Sequence, residues 1–170
     1  MDAGLSTWID TDEPGVSDPL KEFAEGDSEW GPMPRVRVTR RVHFSAAHRL
    51  HRKQWSEDRN REVFGDCSNP NWHGHNYDLD VTVEGDLDRE TGYVLDLKKL
   101  NKVVYHSVIQ DVDHRNLNLD VAWMDQRNPT AENLVVAIWD RIHPRLPEGI
   151  NLKRLVLWET PRNGVEYEGG

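Results

Sequence analysis

"CSNPNWHGHNYDLDVTV", residues 67–83, places the only cysteine of the chain six positions ahead of a His-Gly-His that runs directly into an apolar segment. From His73 onward the odd positions are His73, His75, Tyr77, Leu79, Val81 and Val83, whereas the even positions from Asn76 are Asn76, Asp78, Asp80, Thr82 and Glu84. This two-residue alternation belongs to a strand with one face on a core and the other in water. It predicts a strand from about His73 to Gly85, with both imidazoles on its apolar face. Imidazoles are unexpected there without partners.

Upstream, "RVRVTRRVHF" (35–44) alternates in the same way through Val36, Val38, Val42 and Phe44, and the parity continues through Ala46 to His48. Residues 49–66 read as a long polar excursion or a short helix, and a loop of that length is usually functional or disordered. Downstream, "GDLDRETG" reads as a turn and "YVLD" (93–96) as a short third strand. Asp96 can cap a helix over about 97–110, with Leu97, Leu100, Val104 and Val108 as its stripe. "DVDHRNLNLD" is a polar connection. Pro129 and Thr130 look like the start of a second helix that buries Leu134, Val135, Ile138 and Ile142. "LKRLVLWE" and "VEYEG" are the closing strands. The order predicts an α+β domain: a mainly antiparallel sheet with two helices covering one face.

The chain has 170 residues and a net charge of −9, unevenly spread. Residues 1–34 hold nine acids against Lys21, so eight of the nine net negative charges lie there. With no sustained periodicity, 1–34 reads as an acidic extension and 35–170 as a single domain. Trp8, Leu20, Phe23 and Trp30 could dock the extension. A nearly neutral body with an acidic tail argues against nucleic acid as a partner. No apolar run reaches the roughly 18 to 20 residues a bilayer span needs, and no secretory leader is evident. The expectation is a cytoplasmic protein without a membrane partner. A lone cysteine forms no internal disulfide, so Cys67 is either inert or chemically useful.

On one strand, His73 and His75 stand about 6 to 7 Å apart, close enough to converge on one ion. His48 ends the first strand on its apolar parity and is the natural third ligand. Neutral imidazoles suit zinc, although nitrogen ligands alone accept other transition metals. Two tucked-in histidines with backbone partners would explain the same spacing. Cys67, in a turn, could be a base near a metal or a fourth ligand that closes the site. Asp113 and His114 are adjacent in a loop, a weak hint of an orienting carboxylate and a proton shuttle. Glu159 shares odd parity with Leu155 and Leu157, so it faces inward and needs an arginine or a ligand as partner. Arg49, His51, Arg52 and Lys53 could attract an anion.

Six stretches, "FSAAHRL", "VFGDCSNPNWHGHNY", "GYVLDLKKL", "DHRNLNLD", "PTAENLVVAIW" and "LWETPRNGVEYEG", together resemble the 6-pyruvoyl-tetrahydropterin synthase family over roughly residues 36–169. The resemblance implies the tunnelling fold, a four-stranded antiparallel sheet with two helices. Three subunits would close a barrel, and two trimers would stack as a hexamer. It implies a zinc ion on His48, His73 and His75 in each subunit. Cys67 would be the catalytic base, with Asp113 and His114 as the proton relay. Glu159 would anchor the pterin, supported by Thr130 and Glu132. The substrate would be 7,8-dihydroneopterin triphosphate, which loses inorganic triphosphate as its side chain rearranges.

Trp72 stands where a small residue usually precedes His-Gly-His, and Ala131 replaces a hydroxyl residue of the pterin-binding stretch. Within the family, 6-carboxy-tetrahydropterin synthase, on the route to queuosine, takes the same substrate and releases acetaldehyde. Its shorter Cys-to-His spacing differs from the five residues "SNPNW" seen here, which favours the pyruvoyl type. A zinc-stabilised pterin-binding module without turnover is the remaining alternative.

Overall fold

The structure, a computed structural model, describes residues 31–170. The acidic extension lies outside the described residues up to position 30, and with it Trp8, Leu20, Phe23 and Trp30. The first two strands form one long hairpin. β1 (Arg35–His48) pairs antiparallel with β2 (His73–Asp86) in unbroken register from Arg35↔Asp86 to His48↔His73. The alternation seen in the sequence is the burial pattern of β2: Tyr77, Leu79, Val81 and Val83 are fully buried. Phe44 stacks on Tyr77, its register partner, with ring centroids 4.9 Å apart.

β4 (Asn151–Thr160) adds to the far side of β2, and β5 (Asn163–Tyr167) completes that edge. On the other edge, β3 (Arg115–Asn116) lies parallel to β1 at Ala46 and Ala47. The order is β3-β1-β2-β4-β5. The α+β class holds, but the sheet is five-stranded and mixed rather than four-stranded and antiparallel. Residues 93–96, expected as a strand, form none. Asp88 Oδ1 accepts from the Glu90 and Thr91 N–H groups, and the Asp88 N–H donates to the Tyr93 carbonyl at 2.9 Å. That turn leads straight into a helix cap, leaving no length for a ladder.

Four α-helical segments are present among the described residues where two helices were expected. α1 (Glu57–Phe64) occupies the polar excursion and is capped by Ser56, whose hydroxyl accepts from the Arg59 N–H. α2 (Leu97–Val104) starts at Asp96, whose carboxylate accepts from the Lys98 N–H at 2.8 Å. It widens into a π-helical turn over Tyr105–Ile109 and ends in the short α3 (Gln110–Val112). Arg141 donates to the Ser107 carbonyl of that turn. α4 (Ala131–Ile142) begins at Thr130, whose hydroxyl accepts from the Asn133 N–H. Leu100, Val104 and Val108 meet Leu134, Ile138 and Ile142 over the inner face of the sheet. Among the described residues no helix is long and apolar enough to cross a membrane.

Gly74 separates the two histidines because the hairpin is tight there. A Cβ at Gly74 would stand 3.0 Å from the Ala46 carbonyl oxygen and 3.5 Å from Ala47 Cα. Backbone on one side cannot swing away as a flexible side chain can. Gly74→Ala is therefore expected to cost about 1–3 kcal/mol and to lower metal affinity by displacing the flanking histidines. Thermal denaturation and metal titration check this, and an unchanged midpoint would refute it.

Candidate metal and catalytic site

Pairing of β1 and β2 places His48 opposite His73 and Ala46 opposite His75. The three rings gather where the connection of residues 49–72 leaves β1 and enters β2. Their centroids lie 4.4 Å (His48–His73), 5.1 Å (His48–His75) and 5.0 Å (His73–His75) apart. One nitrogen from each falls within 4.8 Å of the others, so the three can hold a metal ion. His48 is 1% exposed, and its Nδ1 lies 2.8 Å from the Pro129 carbonyl oxygen. A carbonyl only accepts, so Nδ1 carries the proton and the Nε2 lone pair is left free. That Nε2 stands 3.0 Å from His73 Nε2.

The donor set fits a cation. Burial first, then repulsion from the other imidazoles, pushes the pKa of His48 below the ordinary histidine value, and burial does the same for His73. Both are therefore neutral near pH 7, the state a metal requires. His73 Nδ1 is buried with no partner among the described residues. In the metal-free chain a His73 Nε2–H would donate to the His48 Nε2 lone pair; a cation held by both nitrogens in its place fits the same crowding.

A pH dependence follows. With folded-state pKa values depressed, the unfolded chain takes up protons first as the pH falls. Stability of the metal-free protein is thus fully present above about pH 6.5 and is lost as the pH drops through the lowered folded values. Metal is expected to leave over the same window. Urea denaturation in chelator, with metal content followed from pH 8 to 5, checks both. Equal stability across that range would refute it.

Glu159 faces inward as its parity requires, yet its partner is not an arginine. Its Oε1 lies 3.6 Å from His48 Nε2 and 3.8 Å from His75 Nε2, and it accepts from the Tyr77 hydroxyl at 3.4 Å. Burial, then the charge of Glu159, raises the Tyr77 phenol pKa, keeping it a neutral donor. Tyr77 was missed as a site residue. It shares the parity of His73 and His75, and that spacing was its only signal.

Cys67 sits in a tight 3₁₀ turn, Gly65–Ser68, directly after α1. Burial raises its pKa, and the Glu159 and Asp66 carboxylates raise it further. In the metal-free chain the thiol is therefore protonated at neutral pH. Asp113 and His114 do face one another: Asp113 Oδ1 lies 3.0 Å from His114 Nδ1 and accepts from the Ser45 N–H at 2.9 Å. The Ser45 N–H, with His114 adding to it, holds the carboxyl below the usual range. The His114 side chain is 82% exposed, and its backbone is left-handed at φ 58°. His114 and His75 line the same open cleft with Ser45, Gly74 and Asn76, whereas Cys67 lies outside it.

The remaining residues are spread around this centre. Thr130 caps α4, and Glu132 is exposed in its first turn. The helix start is tied to the site because the preceding Pro129 carbonyl holds His48. Ala131 packs against the core. The basic run after His48 is largely engaged: Arg49 contacts Glu57 at 2.7 Å, His51 contacts Glu57 at 3.2 Å, and Arg52 lies over Trp55. Asn118 accepts from the Arg49 N–H and donates to its carbonyl, both at 2.9 Å, pinning the chain just past His48. Glu57 and Asn118 were not legible as site supports, because each acts over a fold contact rather than a local period.

A three-histidine cluster at the connected end of two long paired strands, with a carboxylate beside it, defines an α+β domain whose three imidazoles could hold a metal ion. A family model described as 6-pyruvoyl tetrahydropterin synthase matches residues 37–170. A human relative named 6-pyruvoyl tetrahydrobiopterin synthase is 43% identical over 139 residues, covering 82% of this chain and 95% of its own. The Caenorhabditis elegans 6-pyruvoyl tetrahydropterin synthase structure superposes with a TM-score of 0.76 at 39% identity, covering 82% of this chain and 99% of that one. A Pyrococcus furiosus relative named dihydroneopterin monophosphate aldolase is 41% identical, covering 79% of this chain and 98% of its own. The chain belongs to the 6-pyruvoyl tetrahydropterin synthase family.

Proposed function

We propose that this chain is a zinc-dependent lyase that converts 7,8-dihydroneopterin triphosphate to 6-pyruvoyl-tetrahydropterin with release of inorganic triphosphate. The observation that carries the reading is the convergence of His48, His73 and His75 on one point beside Glu159. Relatives bearing the pyruvoyl name at 43–44% identity support the reaction type. Zinc, held by the three imidazoles, would draw electrons from the substrate side chain and make its carbon-bound hydrogens more acidic. Cys67 removes a proton from that side chain. Asp113 fixes the orientation of His114, which returns a proton to the ring. Hydrogens leaving the side chain reappear on the ring, so no external oxidant is needed.

Glu159 accepts hydrogen bonds from the pterin amino and ring N–H groups, with Thr130 and Glu132 in support. Two acceptor oxygens suit such a paired donor edge. The functional unit is a homotrimer or a dimer of trimers, its sheets closing a barrel. Two features support assembly: among the described residues no further strand pairs with β3 or β5 at the sheet edges, and Leu119, next to β3, is 70% exposed.

The test is incubation of the metal-loaded protein with 7,8-dihydroneopterin triphosphate, followed by mass spectrometry of the products and metal analysis of the same sample. Pyruvoyl-tetrahydropterin and triphosphate are expected. Abundant acetaldehyde would move the chain to the 6-carboxy-tetrahydropterin type. Carbon–carbon cleavage preferred on a monophosphate would favour the activity named for the archaeal relative. No turnover with tight pterin binding would leave a binding module.

A further inference from the structure

Two hydrogen bonds tie the chain just past His48 to the turn that carries Cys67. The Leu50 N–H donates to the Cys67 carbonyl at 2.8 Å, and Arg49 Nε donates to the Ser68 carbonyl at 2.6 Å. The same guanidinium donates through Nη2 to Glu57 at 2.7 Å. Glu57 opens α1 and Ser68 ends the turn that follows it, so Arg49 spans both ends of residues 57–68. A planar guanidinium fixes the directions of both donors, whereas an ammonium on a flexible stem does not. Ser68 is 5% exposed, so its carbonyl, once without that donor, is a buried acceptor that costs free energy until the turn shifts.

The anchor itself is fixed. Asn118, two residues after β3, holds both the N–H and the carbonyl of Arg49, and His48 precedes it on β1. The Arg49 side chain is 14% exposed with Nε and Nη2 already engaged, which leaves little of it for a ligand. Cys67 in turn feels the Glu159 carboxylate, whose Oε1 is 3.6 Å from His48 Nε2. The thiol is thus carried by a segment that Arg49 joins to the first candidate metal ligand.

We propose that Arg49 is a positioning residue: its guanidinium locks the Cys67 turn to the segment leaving His48 and so sets the place of the thiol relative to the three histidines. This rests on the reading under Proposed function, in which Cys67 removes the side-chain proton. The experiment compares Arg49→Met, which keeps the stem and loses both donors, with Arg49→Lys in metal-loaded, full-length protein. Methionine is expected to lower kcat for dihydroneopterin triphosphate by about 10- to 100-fold, the scale on which misplacing a reacting group acts, with KM and metal content little changed. Lysine keeps the charge without the fork and should recover only part of the loss. Arg49→Met added to Cys67→Ala should change the residual kcat by less than about twofold, because a residue acting through the thiol then has nothing to place.

The same factor in both backgrounds overturns the proposal. So does full activity in the lysine variant, a rise in KM with kcat unchanged, which would make Arg49 an anion contact, or loss of metal, which would make it a support of His48. Hydrogen exchange without substrate separates this from failure of the lyase reading. Amides of residues 65–72 should exchange faster in Arg49→Met than in the parent. If the parent releases no triphosphate and that difference is present, the lyase reading fails while the brace is upheld. Equal exchange removes the brace whatever the turnover.

Discussion

Cys67→Ala is expected to lower turnover of dihydroneopterin triphosphate by about 10²- to 10⁴-fold, the range general base catalysis supplies, while bound metal and oligomer mass stay unchanged. The physical case turns on charge. Burial and the nearby Glu159 and Asp66 carboxylates raise the thiol pKa in the metal-free chain, which is the wrong direction for a base at neutral pH. A divalent cation in the three-histidine site would oppose those carboxylates and favour the thiolate. Alkylation of Cys67 by iodoacetamide should accordingly be slow in chelated protein. It should speed up on metal loading, with its pH midpoint moving down. Full activity in the alanine variant would remove Cys67 as the base. Loss of metal would instead make the sulfur a fourth ligand and the site a closed, structural one.

His73→Ala should strip most of the metal and with it nearly all turnover. His73 Nε2 lies 3.0 Å from His48 Nε2, so its removal leaves two ligands where a catalytic zinc ordinarily has three. Even outer partners of metal ligands are worth about 10- to 100-fold in affinity, and a direct ligand should exceed that. The variant should also stop responding to added zinc in thermal denaturation, because a ligand that binds only the folded state stabilises in proportion to its affinity. His73 is only partly buried and stands at the end of β2, so the metal-free variant should melt close to the metal-free parent. An unchanged zinc content would refute the three-histidine site.

Much of this was legible along the chain. Half-buried strands repeat every two residues, so β2 and the shared face of His73, His75 and Tyr77 could be read directly from the order of side chains. Asp96 and Thr130 announced their helices because capping is chemistry between residues two or three apart. Local rules failed where the contact was not local. Tyr93–Asp96 has strand-like composition, but Asp88 folds the chain back first. Arg115–Asn116 has no strand signature and becomes β3 only because Ala46 and Ala47 offer an edge.

By itself the sequence determined the donors: three imidazoles on apolar parity, one thiol in a turn, and one inward carboxylate at the end of a strand. Only the tertiary structure decided that these donors meet. The β1–β2 register sets His48 across from His73, the Pro129 carbonyl selects the His48 tautomer, and Glu159 arrives from a strand more than seventy residues further along. Side-chain periodicity is a property of neighbouring residues, whereas register and convergence come from packing the whole sheet at once.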